Sequence, residues 1–296
     1  MDLEDLPNHP GLAWIRDDVE GRAWLGALPE TVRECAARWS LELSEPPFPY
    51  AFASLALPAR RADGSDAVLK VQFPHRESEH EAAALCAWDG EGAIRSLEHD
   101  PALWALLLER CRPGTSLAHV PQDEALDVAI GLLPRLWKPA GPPFTSLADE
   151  AAGWARSLPA DWAATGRPFE HRLVDAALEA IADLSVTQGE QVLVNQDLHA
   201  DNVLRAEREP WLAIDPKPLA GEREFGIAAL VRGAELGGAR SDVLHRLDRL
   251  TAELGLDRDR ARGWCLAQTL AWAVDEDDVV EEHVDVVRWL VDDAAG

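Results

Sequence analysis

Two short motifs place carboxylate and amide oxygens at the ends of apolar runs. Asp197 and Asn202 follow the apolar residues 192–194, and Asp215 follows the apolar run 211–214. A carboxylate can accept the proton of a hydroxyl group, and hard oxygen atoms are the ligands that Mg²⁺ prefers beside phosphates. We therefore expect Asp197 to act as a general base and Asn202 with Asp215 to bind Mg²⁺, which is the chemistry of phosphoryl transfer.

The wording of these motifs resembles a known family. Residues 197–204 read Asp-Leu-His-Ala-Asp-Asn-Val-Leu, and residues 213–217 read Ala-Ile-Asp-Pro-Lys. The spacing Asp-Leu-x-x-x-x-Asn resembles the catalytic loop of protein kinases. The fuller wording resembles the aminoglycoside phosphotransferase superfamily, in particular its streptomycin and hydroxyurea kinase branch. The resemblance extends over about residues 54–272.

This resemblance implies both a fold and a reaction. The implied fold is α+β and bilobal, like that of protein kinases, with a small N-terminal lobe built on an antiparallel sheet and a larger, mainly helical C-terminal lobe. The implied reaction is phosphoryl transfer from ATP, with Mg²⁺, to a small-molecule acceptor. The corresponding domains are a nucleotide-binding lobe at 1–108, a hinge at 109–114 and a helical lobe with the catalytic loop and acceptor site at 115–296.

Lys70 lies in the apolar strand pattern 67–73, one of three lysines in the chain. The turn signal at 63–64 precedes this strand, and residues 54–57 can be its antiparallel neighbour. An ammonium group in a buried strand is costly unless it meets a partner. The resemblance implies that Lys70 contacts the α and β phosphates of ATP and pairs with a glutamate of the following helix.

Glu81 is the favoured partner of this lysine. The apolar residues that follow Glu81 give its helix a buried side, and similar kinases read Glu-Ala-x-x-Leu at this place. Glu77 and Glu79 compete for the same role.

The apolar residues 105–108 predict a strand that leads into a stop at Pro113-Gly114. This segment resembles the hinge of the kinase fold, where adenine binds. Backbone groups of an edge strand can imitate a base-pairing partner. We therefore expect the carbonyl group of Glu109 and the amide group of Cys111 to contact adenine.

A glycine-rich phosphate loop is missing, since residues 46–53 contain no glycine. The small residues Ala53 and Ser54 are expected to let backbone amide groups approach the phosphates instead.

Two positions depart from the wording of the family. The family usually has histidine two residues before the catalytic Asp, where this chain has Asn195. It also usually has an Asp in the helix after the metal-binding strand, where this chain has Gly226. Asn195 still offers a donor and an acceptor. Either a different set of hydrogen bonds replaces the usual pair, in which case Asn195 and Gly226 should touch, or catalysis is weakened.

Two further polar side chains lie within the motifs. His199 is expected to hold the catalytic loop, and it is the next candidate for the base after Asp197. Lys217 either contacts a phosphate or the acceptor, or it pairs with a structural acid such as Glu222 or Glu224.

The acceptor itself is indicated only by composition. Trp264 and Trp272 lie on one predicted helix before the acidic residues 275–278. Aromatic faces and acids together suit a cationic or sugar-like acceptor. The alternative is that both tryptophans belong to the core.

The chain carries 53 acidic residues against 28 Lys and Arg, a formal net charge of -25. Such a surface should repel nucleic acid and anionic membranes, and it either attracts a cationic acceptor or serves only solubility. The four cysteines are scattered, and the acidic start of the chain lacks the pattern of a signal peptide. We expect a cytoplasmic protein with reduced thiols.

Helical spacing of apolar residues dominates the second half of the chain. It predicts helices at 123–137, 148–157, 170–187, 223–236, 241–254, 258–274 and 277–291.

Two function classes stay open. The first is a small-molecule kinase for an aminoglycoside, hydroxyurea or another hydroxylated metabolite. The second is a catalytically silent nucleotide-binding module of the same fold. Retention of Lys70, Asp197, Asn202 and Asp215 favours the first.

Overall fold

The computed structural model describes residues 2–50, 52–275 and 278–294, and the chain divides into two compact units, the first ending at Gly114 and the second beginning at Thr115. Each unit has its own hydrophobic core.

In the part of the chain that the structure describes, the first unit contains a five-stranded antiparallel sheet and two α-helices. Its elements in chain order are α1 (Val19–Arg38), β1 (Leu41–Glu42), β2 (Ser54–Arg61), β3 (Asp66–Gln72), α2 (Glu81–Trp88), β4 (Ser96–Asp100) and β5 (Ala105–Glu109). The strands lie in the order β1-β2-β3-β5-β4. Apolar side chains of α1 pack on those of the inner strands and form the core.

The hairpin of β2 and β3 forms as predicted. Ser54 lies opposite Gln72, and Ala56 lies opposite Lys70. The residues suit the turn. Gly64 has φ +86°, and the Asp63 carboxylate accepts hydrogen bonds from the backbone N–H and the hydroxyl group of Ser65.

The prediction that the strand at 105–108 is an edge strand is wrong. β5 lies between β3 and β4, so Leu107 pairs with Leu69 on one side and with Glu98 on the other. Local apolar content cannot distinguish an inner strand from an edge strand. Backbone groups that do not pair within this sheet therefore begin only after Glu109, the last residue of β5.

The second unit is mainly helical. Its elements in chain order are α3 (Gln122–Leu136), α4 (Leu147–Ala164), α5 (His171–Val186), β6 (Val192–Asn195), β7 (Val203–Arg205), β8 (Trp211–Ala213), β9 (Pro218–Gly221), α6 (Ala228–Arg232), α7 (Arg240–Leu254), α8 (Arg258–Ala271), β10 (Val274–Asp275), β11 (Asp278–Val279) and α9 (Glu281–Ala294). Its core cluster brings α4, α5 and α8 against β6 and β9.

The continuous helix predicted at 223–236 is wrong. The segment forms a 3₁₀ turn over Arg223–Ile227, the short helix α6, and a second 3₁₀ turn over Ala234–Leu236. Glycine weakens a helix, and Gly233, which separates α6 from the second turn, has φ -59° and ψ 105°, outside the helical region.

Three other helices differ from the prediction by three residues or more, and one of them, α8, ends at Ala271 instead of residue 274, so that Trp272 lies just after it. α4 continues to Ala164, beyond the predicted end at residue 157. The helix predicted from 277 begins only at Glu281, after the hairpin of β10 and β11.

Two antiparallel pairs of short strands position the motifs. β6 pairs with β9, and β7 pairs with β8. The loop 196–202 therefore leaves the first pair and enters the second, while Asp215 lies between β8 and β9. No helix in the described part of the chain is long and apolar enough to cross a lipid bilayer.

Candidate active site

Asn195 connects the two motif segments. Its side-chain Oδ1 accepts hydrogen bonds from the backbone N–H groups of Asp197, at 3.0 Å, and Lys217, at 2.9 Å. One buried side chain thus fixes the backbone at the start of the loop 196–202 and just after Asp215.

The loop is also closed by its own hydrogen bonds. The Asp197 carbonyl accepts from the His199 backbone N–H and, at 2.9 Å, from the Asn202 side-chain Nδ2. The Asn202 carbonyl accepts from the Ile214 N–H at 2.9 Å. With its Nδ2 donating to Asp197, Asn202 keeps its side-chain Oδ1 as a hard oxygen that can bind a cation.

Asp215 adopts a left-handed backbone conformation, with φ +49°. Residues other than glycine rarely adopt this region, and they do so mainly where surrounding structure imposes it, often at functional sites. Asp215 lies two residues after the end of β8 and two residues before Lys217.

Two cations flank the Asp197 carboxylate. Lys217 Nζ lies 3.1 Å from Oδ2, and Arg232 Nη2 lies 3.4 Å from Oδ1. Both cations lie over the Trp272 ring, at 5.2 Å for Lys217 and 4.5 Å for Arg232. Lys217 therefore contacts Asp197, and both cations gain from the ring quadrupole of one tryptophan.

Arg232 is held in place by a buried amide. Its Nη1 donates to Gln268 Oε1 at 2.6 Å, and Gln268 Nε2 donates to the Gln196 carbonyl at 2.8 Å. Burial lowers the pKa of Arg232, and the charge of Asp197 opposes this change. A charge so deeply buried is costly unless it is paired, so this contact set is what keeps it beside Asp197.

His199 and the loop meet an acidic side chain from beyond α6. Glu235 Oε1 accepts the Ala200 backbone N–H at 2.8 Å, and the same oxygen lies 3.9 Å from His199 Nδ1. The structure thus gives His199 a carboxylate neighbour.

Asn195, the expected neighbour of Gly226, does not supply the atoms nearest to it. The atoms nearest to a Cβ built at Gly226 belong to Trp137, whose Nε1 would be 2.9 Å away, and to Val194. Trp137 fills the space that an Asp side chain at position 226 would need.

Trp264 is a core residue, so the idea that it forms an acceptor site with Trp272 is wrong. It is fully buried and packs against Phe225, and its Nε1 donates to Glu222. Of the acids that follow, Glu276 and Asp277 lie outside the described residues. Trp272 is half-buried and carries the two cations described above.

In the first unit, Lys70 forms a buried ion pair with Glu81. Lys70 Nζ lies 2.6 Å from Glu81 Oε2, which also accepts from Gln72 Nε2 at 2.7 Å. Glu81 is the first residue of α2, while Glu79 is exposed before the helix begins.

The other residues expected to bind nucleotide lie at strand ends of this unit. Ser54 is the first residue of β2. Glu109 is the last residue of β5, and its side chain accepts from the Arg95 backbone N–H. Cys111 follows in the segment that leads to Gly114.

The oxygen atoms at this site suit Mg²⁺ better than a metal ion that is coordinated only by protein side chains. Among the described residues, no group of three or more His, Cys, Asp or Glu side chains could hold a metal ion. Mg²⁺ commonly takes one or two protein carboxylate or amide oxygens and completes its shell with water and phosphate. Asn202 and Asp215 supply such oxygens.

Sequence reasoning missed Arg232, Glu235 and Gln268. The signal for Arg232 was an arginine that ends the apolar run 227–231, where a charge needs a buried partner. Glu235 and Gln268 carry no local signal, because they contact the loop from 35 and 72 residues away.

Comparison with known proteins agrees with this arrangement. A family model described as aminoglycoside/hydroxyurea antibiotic resistance kinase matches residues 38–279. The streptomycin 6-kinase of Streptomyces griseus is 42% identical over 258 residues, which cover 85% of this chain and 83% of the relative. The hydroxyurea phosphotransferase of Kitasatospora aureofaciens is 40% identical over 281 residues, which cover 92% of this chain and 81% of the relative.

Solved structures show the same fold at low identity. The apo form of aminoglycoside phosphotransferase APH(4)-Ia, a thermostable mutant, matches with a TM-score of 0.60 and 16% identity over 90% of this chain and 99% of its own. The choline kinase of Streptococcus pneumoniae matches with a TM-score of 0.61 and 12% identity over 90% and 98%. With a family model that spans most of its length, this chain belongs to the aminoglycoside/hydroxyurea antibiotic resistance kinases, phosphotransferases with a bilobal, protein-kinase-like α+β fold.

Proposed function

We propose that this enzyme transfers the γ-phosphoryl group of ATP to a hydroxyl group of a streptomycin-type aminoglycoside or of hydroxyurea. The observation that carries the proposal is the setting of Asp197, whose carboxylate lies between the cations of Lys217 and Arg232 on a loop fixed by Asn195. The activities named for the curated relatives supply the two acceptor classes. A hydroxylated metabolite of another kind is the next acceptor to consider.

Asp197 acts on the acceptor in this proposal. Its carboxylate orients the acceptor hydroxyl group and takes up its proton as the oxygen attacks phosphorus. Phosphoryl transfer develops negative charge on the phosphoryl oxygens, and fixed positive charges near that point stabilise it. Arg232 is buried and stays beside Asp197, whereas Lys217 is more exposed and is able to contact the phosphoryl group.

The nucleotide is held by backbone groups and a few side chains. When bound, Mg²⁺ neutralises phosphate charge, and Asn202 and Asp215 are its proposed ligands. Lys70, fixed by Glu81, contacts the α and β phosphates. The remaining proposed contacts are backbone groups of Ser54 to phosphate and of Glu109 and Cys111 to adenine.

In this proposal, the negative charge of the protein attracts a cationic acceptor. The net charge of -25 raises the local concentration of a cation such as an aminoglycoside. His199 and Trp272 are proposed to border the acceptor, although Trp272 already carries two cations over its ring. With two cations over its ring, Trp272 therefore suits a sugar ring better than a third cation. Because the proposed reaction uses ATP, we propose that it takes place in the cytoplasm.

The acceptor is tested by ADP release from the purified protein with ATP, Mg²⁺ and, in turn, streptomycin, hydroxyurea and a neutral sugar. We expect acceptor-dependent release with at least one of the first two, and mass spectrometry of the product should show one added phosphoryl group. Asp197→Asn should lower the turnover by about 10²- to 10⁴-fold, because general base catalysis is typically worth that much.

Two outcomes would contradict this function. Release that no acceptor raises above the ATP-only background would favour the silent nucleotide-binding module. An Asp197→Asn variant that keeps most of its turnover would move the base elsewhere, with His199 the next candidate.

The metal ligands are tested by calorimetry of ATP binding with and without Mg²⁺. Asp215→Asn should remove the dependence of ATP affinity on Mg²⁺, since it deletes the ligand charge but keeps a residue that tolerates φ +49°. Asn202→Ala should reduce this dependence of ATP affinity on Mg²⁺ by a smaller amount. Equal ATP affinity of the unmodified protein in both buffers would contradict a kinase-type metal site.

A further inference from the structure

The space from which the resembled family supports the catalytic loop is occupied by a tryptophan side chain in this chain. The resembled family braces this loop with an acidic side chain at the position of Gly226. Here a Cβ at Gly226 would lie 2.9 Å from Trp137 Nε1 and 3.5 Å from Val194 Cγ1. An acidic side chain cannot enter without displacing the Trp137 indole.

A different carboxylate reaches the loop backbone. Glu235 Oε1 accepts the Ala200 N–H at 2.8 Å and lies 3.9 Å from His199 Nδ1. Ala200 stands between Asp197 and Asn202 and is fully buried. An unpaired buried N–H is costly, so this hydrogen bond favours one loop conformation over others.

The segment 233–237 that carries Glu235 is itself anchored. Arg246 is fully buried; its Nη2 donates to the Val231 carbonyl at 2.8 Å, and its Nη1 donates to the Gly237 carbonyl, also at 2.8 Å. The two carbonyl groups flank Glu235 on either side. The backbone on both sides of Glu235 is therefore held by a buried side chain.

Gly233 leaves the space that the carboxylate occupies. A Cβ built at Gly233 would lie 2.6 Å from Glu235 Oε1 and 2.9 Å from Oε2. The backbone angles of Gly233, φ -59° and ψ 105°, are accessible to alanine. Glycine is thus required at this position by the carboxylate and not by its own conformation.

We propose that Glu235 is a positioning residue of the catalytic loop, acting through the Ala200 N–H, and that Gly233 is required because it makes room for it. This proposal rests on the proposed function for its catalytic consequence. Glu235 touches neither the acceptor nor the reacting atoms; it fixes the loop on which Asp197 and Asn202 stand.

The test compares Glu235→Ala, Glu235→Gln and Gly233→Ala by steady-state kinetics. Glu235→Ala and Gly233→Ala should lower kcat by about 10- to 100-fold, as expected for slight misplacement of a catalytic group. Glu235→Gln should keep most of the turnover, because its amide oxygen still accepts the Ala200 N–H. Gly238→Ala is the matched control, since a Cβ there meets no atom within 4 Å.

A second measurement needs no turnover. Hydrogen exchange of the peptide that contains Ala200, in the nucleotide-free protein, should speed up in Glu235→Ala and Gly233→Ala and stay slow in Glu235→Gln and Gly238→Ala. If the unmodified protein phosphorylates no acceptor, the proposed function fails, and exchange alone decides whether Glu235 holds the loop.

Unchanged exchange at Ala200 in both Glu235→Ala and Gly233→Ala would overturn the proposal. So would unchanged kcat in both, in an otherwise active enzyme. If Glu235→Ala does not fold, Gly233→Ala gives the decision, because it displaces the carboxylate but retains the Glu235 side chain.

Discussion

At the scale of single residues, the two departures from the wording of the family have separate physical consequences. Asn195 Oδ1 accepts two backbone N–H groups and so connects the catalytic loop to the segment after Asp215. Gly226 is small because Trp137 packs against it. Asn195 thus acts on the backbone of the two motif segments, whereas the nearest neighbour of Gly226 is Trp137.

This separation predicts the result of a double-mutant cycle. Gly226→Asp should lower the free energy of unfolding by about 1–3 kcal/mol, the usual cost of overpacking a core. Trp137→Ala opens that space, so the two changes together should cost less than their sum by about 0.5 kcal/mol or more. Chemical denaturation of the four proteins measures the coupling.

Asn195→His with Gly226→Asp is the control cycle, and its two effects should add within about 0.5 kcal/mol. If the control pair is strongly coupled and Gly226 is not coupled to Trp137, the result would instead support the direct contact of Asn195 with Gly226 that the family pattern suggested.

At the scale of elements, the contact of α2 with β3 depends on one buried carboxylate. Glu81 is 1% exposed and accepts from both Lys70 and Gln72 of β3. Because Glu81 is the first residue of α2, its carboxylate also lies at the positive end of the helix dipole. The pair therefore fixes where the helix begins as well as where the lysine points.

Glu81→Ala should lower the free energy of unfolding by about 3–5 kcal/mol, since removing one partner leaves the other charge buried. Glu81→Gln should cost less because it retains an acceptor for Lys70. Urea denaturation measures both, and the exposed Glu79→Ala is the control, expected to change stability by about 0.5 kcal/mol or less. Equal losses for Glu79→Ala and Glu81→Ala would show that the ion pair is not what stabilises this contact.

At the scale of the whole molecule, stability is coupled to pH through a partly buried histidine near the active site. Burial, followed by the positive charge of Arg232, lowers the pKa of His283 below its ordinary value of 6.5. His283 Nδ1 lies 3.3 Å from the Trp272 carbonyl oxygen, and a hydrogen bond to this oxygen partly opposes the decrease in the pKa. The unfolded chain therefore binds this proton more readily than the folded protein does.

The sign of the pH effect follows. Stability is not affected by His283 above about pH 6.5 and falls as the pH decreases from there toward the lower folded pKa, with a slope of at most about 1.4 kcal/mol per pH unit. His283→Gln should flatten this part of the curve of Tm against pH, while the exposed His119→Gln should leave it unchanged. Parallel curves for the unmodified protein and His283→Gln would contradict the assignment.

Local signals in the sequence determined the parts of this protein that depend on neighbours along the chain. Turn residues and an apolar run predicted the hairpin of β2 and β3, which places Lys70. An apolar run ending in a carboxylate predicted β6 and the loop with Asp197. These features follow from short-range sterics, turn chemistry and side-chain period, and so they are legible in a single sequence.

Tertiary structure decided the surroundings of those residues. Arg232 and Glu235 reach the loop from 35 residues away, and Gln268 from 72. Trp264 belongs to the core while Trp272, on the same stretch of chain, carries two cations. Such contacts depend on how α6 and α8 pack against β6, and packing is a property of the folded chain rather than of any window in the sequence.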